Sequence, residues 1–182
     1  MTRHPLAAIP EGRRARVFVP VFLATLAVGA ALAVIDQSLR TAASPHGIVS
    51  FEVAGDVTNA GAMIAAWDTR ARSAAGVSLG LDYLFMPLYG TAVALGCLWA
   101  GAVFHRRGSA LAALGAPLAW GGWFAAALDA IENAALTTQL LDGARAPWPA
   151  VAFWAATPKF VLIVAGLLYA AAASVARSRP SA

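Results

Sequence analysis

Four long apolar runs set the pattern of this chain, over residues 17–35, 77–104, 109–141 and 148–175. Each matches or exceeds the roughly 20 helical residues that cross a bilayer core about 30 Å thick. The first is uncharged for 19 residues, longer than the 7 to 15 apolar residues of a secretory signal, so it is expected to be a retained span. The second is interrupted by Asp82 and Pro87. Pro87 has no N–H to donate to the carbonyl of Tyr83, which leaves a backbone acceptor one residue from Asp82. The third contains Pro117 and a stripe of small residues, Gly115, Ala119, Gly122 and Ala126, that permits close helix contact. The fourth carries Pro158 and Lys159. The pattern predicts an all-α fold, a four-transmembrane-helix bundle. A single membrane domain over 17–176 would be flanked by a cationic, mobile tail at 1–16 and a short one at 177–182.

Residues 36–75 form the longest polar connection. Pro45, His46 and Gly47 are turn-forming, and Ile48 to Val53 return to apolar character before Gly55. Asp56 is an expected N-cap, after which Ala60, Met63, Ile64 and Trp67 recur at i, i+3, i+4 and i+7. That spacing predicts a short amphipathic interfacial helix between spans 1 and 2, with Trp67 at headgroup level. The alternative is a loop segment packed on the end of the bundle with the same face down.

Composition agrees with the pattern. With 60% apolar and 12% charged residues, the chain is too charge-poor for an ordinary soluble domain, in which about a quarter of residues are charged. The net charge of +4 does not indicate nucleic acid, because the arginines lie in small clusters beside apolar runs and no basic stripe is interleaved with aromatics. Their distribution speaks to topology. Arg3, Arg13, Arg14, Arg16, Arg106, Arg107, Arg177 and Arg179 fall on one side of the membrane, against Arg40, Arg70, Arg72 and Arg145 on the other. The positive-inside rule then places both termini in the cytoplasm. The single cysteine, Cys97, permits no disulfide within the chain.

Against this apolar background the charged residues inside the spans stand out. Asp129, Glu132 and Asn133 share one helical face in span 3. A carboxylate at the centre of a span costs roughly 2.5 to 3.5 kcal/mol on insertion scales, so these residues mark a buried polar site. Counting 1.5 Å per residue from Arg14, Arg107 and Arg177 gives rises of about 33 Å to Asp36 and Asp129, about 38 Å to Asp82 and Glu132, and about 27 Å to Lys159. Four helices thus bring their odd charges to one layer in the outer half of the membrane, and Glu52 would reach it from the connection. Lys159 is the sole cation within a span, too far from either end to snorkel easily. It is expected to pair with a carboxylate, Asp129 being nearest in depth. Asp129 and Glu132, one turn apart, disfavour joint ionisation, so one of them would hold a proton. Tyr83, Tyr89 and Trp154 are candidate lining aromatics.

Plainer readings apply to the same residues. Asp36 and Asp82 would then mark helix ends, and the span 3 residues would form a hydrogen-bond network that only holds helices together, at about 0.6 to 2 kcal/mol per contact. His46 with Glu52 lacks the further His or Cys ligands of a metal site, so no metal and no cofactor is expected. No serine-centred nucleophile motif, phosphate-cradling loop or HExxH pattern occurs.

The phrases Gly47-Ile48-Val49-Ser50-Phe51-Glu52-Val53-Ala54-Gly55, Leu81-Asp82-Tyr83-Leu84-Phe85 and Leu128-Asp129-Ala130-Ile131-Glu132-Asn133 resemble those of small bacterial four-helix membrane proteins of unknown function, a resemblance that implies no activity. In layout the chain also resembles the EXPERA group, which includes the sterol isomerase and the sigma-2 receptor. The shared features are four spans with cytoplasmic ends, an acid closing span 1 (Asp36), a Trp-bearing connection (Trp67), and an acid followed by a proline in span 2 (Asp82, Pro87). The Asp-x-x-Glu-Asn of span 3 departs from that group.

Glu52, Asp82, Tyr83, Asp129, Glu132, Asn133 and Lys159 are therefore the candidate ligand-binding residues. The expected function is an acid-lined pocket near the outer leaflet that binds a membrane lipid or another small amphipathic ligand, with a homo-oligomer allowed. Two alternatives use the same residues. One is a membrane-embedded acid/base enzyme, isomerase-like, acting on an isoprenoid or sterol-like substrate with one carboxyl protonated and one ionised. The other is a structural or accessory membrane subunit.

Overall fold

The computed structural model describes residues 4–178, which form helices and, among the described residues, no strand. The α-helices are α1 (Glu11–Asp36), α2 (Ile48–Glu52), α3 (Val57–Ala66), α4 (Thr69–Arg106), α5 (Gly115–Asp142) and α6 (Trp148–Ser178), with 3-10 turns at Pro5–Ala8, Gln37–Leu39 and Ala110–Leu114. Four stretches are long and apolar enough to cross a membrane: Glu11–Leu39, Thr69–Arg106, Ala110–Asp142 and Trp148–Ser178. The all-α, four-span expectation holds, and the departures lie at helix ends.

From residue 4 onward, the stretch expected as a tail over 1–16 carries the 3-10 turn Pro5–Ala8 and the start of α1 at Glu11. Arg14 turns back to donate to the carbonyls of Ile9 (3.0 Å) and Ala7 (3.2 Å), and Leu6 and Ala7 pack on a buried cluster. Arg3 and Arg179, counted in the topology argument, lie outside the described residues. Helix α4 begins at Thr69, inside what read as polar connection, because the carboxylate of Asp68 accepts the N–H of Ala71 (2.7 Å) in N-cap fashion. Asp82 is consequently deep within a helix and does not mark its end, contrary to the plainer reading of that residue.

The connection after α1 is ordered by one carboxylate. Asp36 Oδ1 accepts the N–H of Ile48 (2.7 Å), while Oδ2 pairs with Arg40 (3.2 Å). Gly47 sits at φ +58°, and a Cβ there would come within 2.0 Å of Asp36 Oδ1, so both backbone conformation and space demand glycine. Asp56 caps α3 as its position predicts, accepting the N–H of Asn59 at 2.8 Å. Ala60 and Ile64 are buried on the apolar face of α3. Trp67 departs from expectation. It lies in extended backbone after α3, only 2% exposed, with its indole N–H donating to the carbonyl of Leu39 (2.9 Å) and to Ser44 Oγ (3.2 Å). A donor satisfied inside the protein has no reason to seek the headgroup layer, so Trp67 anchors the connection to the protein.

The described residues fall into two compact units, and each long helix gives a stretch to both. Unit 2 comprises residues 26–86 and 127–159. Its apolar core gathers Leu39, Phe51, Ile64, Trp67, Leu79 and Leu136. Unit 1 comprises, within the described residues, 4–25, 87–126 and 160–178. There the small-residue stripe acts as predicted. A Cβ on Gly122 would lie 2.9 Å from the carbonyl oxygen of Gly90, and one on Gly101 would lie 3.1 Å from the Cα of Gly115. Ala119 is fully buried along the same line. Helices α4 and α5 meet there backbone to backbone, which only glycine permits.

Candidate functional site

The polar residues singled out in the sequence lie in unit 2, and most of them converge. Helix α5 presents Asp129, Glu132, Asn133, Leu136 and Gln139 on one buried face, while Ile131 points outward. This is the i, i+3, i+4, i+7 arithmetic of a helix whose stripe is polar where an ordinary stripe is apolar. Helix α6 meets it with Ala152, Ala155 and Ala156, all buried, followed by Lys159. Small side chains on the turns before Lys159 leave room for its aliphatic stem, which leans toward the helix N-terminus.

The ammonium of Lys159 is the centre of the site. It donates to Asp129 Oδ1 at 2.9 Å, lies 2.8 Å from Glu132 Oε2, and reaches Glu52 Oε2 at 3.5 Å. The expected pairing with Asp129 is present, and two further carboxylates share the same cation. Glu52 arrives from α2, where Phe51 packs edge-on against Trp67, ring centroids 5.2 Å apart, which fixes the short helix over the site. On the other side, Asn133 Nδ2 donates to Asp82 Oδ2 (3.0 Å) and to the carbonyl of Leu79 (3.1 Å). The amide thereby ties α5 to α4 and aims the Asp82 carboxylate toward the cluster.

Burial grades across the group. Asp129, Glu132, Asn133 and Lys159 are buried, whereas Glu52 and Asp82 are partly exposed and form its open edge. Glu132 is fully buried, yet neither of its carboxylate oxygens has a partner in hydrogen-bond geometry. Its Oε2 is held by charge at contact distance from Lys159, and its Oε1 is unpartnered. For Glu52, burial raises the carboxyl above its ordinary value, Lys159 opposes that, and Asp129 reinforces it.

Not every candidate joins the cluster. Tyr83 is 48% exposed, because one residue beyond Asp82 the helix has turned by about 100°; it stands on the rim, not in the interior. Trp154 is 70% exposed and does not line this site, and Tyr89 is buried and belongs to unit 1. Asp36 is committed to the Ile48 amide and to Arg40. His46 is exposed, and among the described residues no three His, Cys, Asp or Glu side chains are placed to hold a metal ion. The ammonium of Lys159 stands where the carboxylates converge.

Sequence reasoning passed over Gln139. It is fully buried two turns beyond Glu132, its Nε2 donates to the carbonyl of Ala135 (3.2 Å), and its Oε1 has no hydrogen-bond partner. The seven-residue spacing from Glu132 was the available signal.

Chemically, the arrangement can hold a cation among carboxylates or hold and move a proton between them. Compared with protein-family models, with curated proteins and with solved structures, the chain gives no match.

Proposed function

We propose that this is an integral protein of a bacterial inner membrane, with both termini cytoplasmic, that binds a small amphipathic ligand by placing the ligand's cationic head among the carboxylates of the cluster. One observation carries the reading. Three acids, Glu52, Asp129 and Glu132, gather about a single cation, Lys159, a fourth, Asp82, is held beside them by Asn133, and the most buried of them, Glu132, has an oxygen with no partner. Helices need one or two polar contacts to associate, and a set of acids beyond that need is a functional site by default in a membrane span. The head enters at the open edge formed by Glu52 and Asp82, with Tyr83 on the rim offering a ring face to a cation. The apolar tail lies along the exposed apolar surface beside it, where Val53 and Leu84 face outward. The layout-level resemblance to the EXPERA group accords with such a ligand.

The Glu52 and Glu132 carboxyls, which lie against the same Lys159 ammonium, favour one second reading, acid/base catalysis on an isoprenoid or sterol-like substrate, with one carboxyl protonated and one ionised. Both readings meet the same experiment. Asp82→Asn and Glu132→Gln keep shape and most hydrogen bonding while removing charge. The variants are expected to melt near the wild type yet to lose a lipid-like molecule that mass spectrometry detects in purified wild type. Conversion of that molecule by the wild type would select the enzyme. Identical bound lipids in wild type and variants, with only melting temperature changed, would leave the structural-subunit reading.

A further inference from the structure

The charges in the cluster do not balance. Glu52, Asp82, Asp129 and Glu132 bring four negative charges if all are ionised, and Lys159 brings one positive charge. An excess of buried like charge is strongly unfavourable and is relieved by uptake of protons or cations. The place where a proton resides is marked by geometry. Glu52 Oε2 and Glu132 Oε2 stand 3.5 Å and 2.8 Å from the same Lys159 nitrogen, so the two carboxyls are neighbours about one ammonium, and their like charges favour a proton held between them. Glu132 is 0% exposed, with an unpartnered oxygen, so it has no access to water of its own. Glu52, with 12% of its side chain exposed, has that access. The groups facing this pair are Lys159 from α6, Asp129 from α5, and Asp82 from α4 held by Asn133.

Building on the proposed ligand class, we infer that the site exchanges a proton for the cationic head. The empty site holds a proton between Glu52 and Glu132. An entering ammonium donates its N–H groups to the Glu132 carboxylate, and the proton leaves through Glu52 to water. Only the carboxyl O–H bond breaks, its electron pair stays on the carboxylate oxygen, and the cluster's net charge is the same before and after exchange. Binding would therefore be linked to pH through a deeply buried acid that solvent reaches by way of a partly exposed one. In a membrane this arrangement couples cation occupancy to the proton concentration on the side where Glu52 opens.

The test is calorimetric titration of the full chain in maltoside micelles with n-decylamine, in two buffers of different ionisation enthalpy, near pH 6 and near pH 7.5. The ammonium of the probe titrates near the lysine value of about 10.4, so it stays charged and any released proton comes from the protein. The expected result is release of about one proton per bound decylamine, with affinity tightening about tenfold per pH unit. Binding with equal heats in both buffers and no pH dependence overturns the exchange while leaving cation binding intact. Absence of decylamine binding at either pH overturns the exchange together with the proposed ligand class. Uncharged n-decanol is expected to release no proton, and equal release by decanol would overturn the inference. Glu132→Gln removes one partner of the shared proton, and so does Glu52→Gln should the first fail to fold. In either variant release is expected to fall below half of the wild-type value, and unchanged release places the proton elsewhere and overturns the inference.

Discussion

The two units solve the same problem by opposite means, although stretches of the same four helices build both. In unit 1, α4 and α5 meet through glycine, with Gly90 facing Gly122 and Gly101 facing Gly115 so closely that backbone touches backbone. In unit 2, the same α5 faces its neighbours through Asp129, Glu132 and Asn133, with Lys159 of α6 among them. Lipid tails are as apolar as leucine, so helices in a membrane associate through close packing or polar contact. Unit 1 shows that α4 and α5 approach each other through small residues. The expensive polar group in unit 2 therefore answers some other need, and that contrast is the strongest ground for reading it as a site.

The largest expected effect breaks unit 2 at its centre. Lys159→Met leaves Asp129, Glu132 and Glu52 without their common cation, and removal of one partner from a buried ion pair typically costs about 3 to 5 kcal/mol. The variant should melt well below wild type in detergent near neutral pH and recover part of the loss near pH 5, where the acids take up protons. Adding Asp129→Leu should restore only a fraction, because Glu132 and Glu52 remain; full restoration would mean that a simple pair, not a cluster, holds the lysine.

A smaller effect is expected in unit 1. In Gly122→Val the Cβ would meet the Gly90 carbonyl oxygen at 2.9 Å and the Val93 side chain at 3.2 Å. Overpacking of this kind costs about 1 to 3 kcal/mol. Unlike that of Lys159→Met, this loss should be the same near pH 5 and near pH 8 in thermal melts. A pH-dependent loss at Gly122 would dissolve the distinction between the units.

The contrast between the units also shows what could be read in advance. The four spans, the Asp56 cap, the Gly122 stripe and the charged face of α5 all follow from spacing, because helical periodicity fixes which residues share a face. The Lys159–Asp129 pairing came from depth along straight helices, and it held because both residues sit inside continuous helices. What escaped depended on single local contacts. The start of α4 turned on the Asp68 carboxylate finding the Ala71 amide. The inward turn of Trp67 depended on the carbonyl of Leu39, which is 28 residues away. Tyr83 was grouped with its neighbour Asp82 although one step along a helix changes the face, while Gln139 was passed over although seven steps preserve it.

The smallest effect expected concerns Glu52. Burial raises its carboxyl above the unperturbed value of 4.5, so above that pH the folded protein retains a proton that the unfolded chain has released. Stability from this residue is present in full below the unfolded value and declines as pH rises toward the folded one. Wild type should accordingly lose melting temperature between about pH 5 and pH 8 more steeply than Glu52→Gln. Parallel melting curves would mean that Glu52 is not held in the buried cluster.

The central claim is that unit 2 carries a cation-binding site and unit 1 does not. Its most direct measurement is n-decylamine binding by Glu132→Gln and Gly122→Val, side by side with wild type, at a temperature where all three remain folded. The account predicts saturable binding by wild type and by Gly122→Val, and at least tenfold weaker binding by Glu132→Gln, which lacks the buried charge. Equal binding by all three proteins, or loss in Gly122→Val with retention in Glu132→Gln, would contradict it.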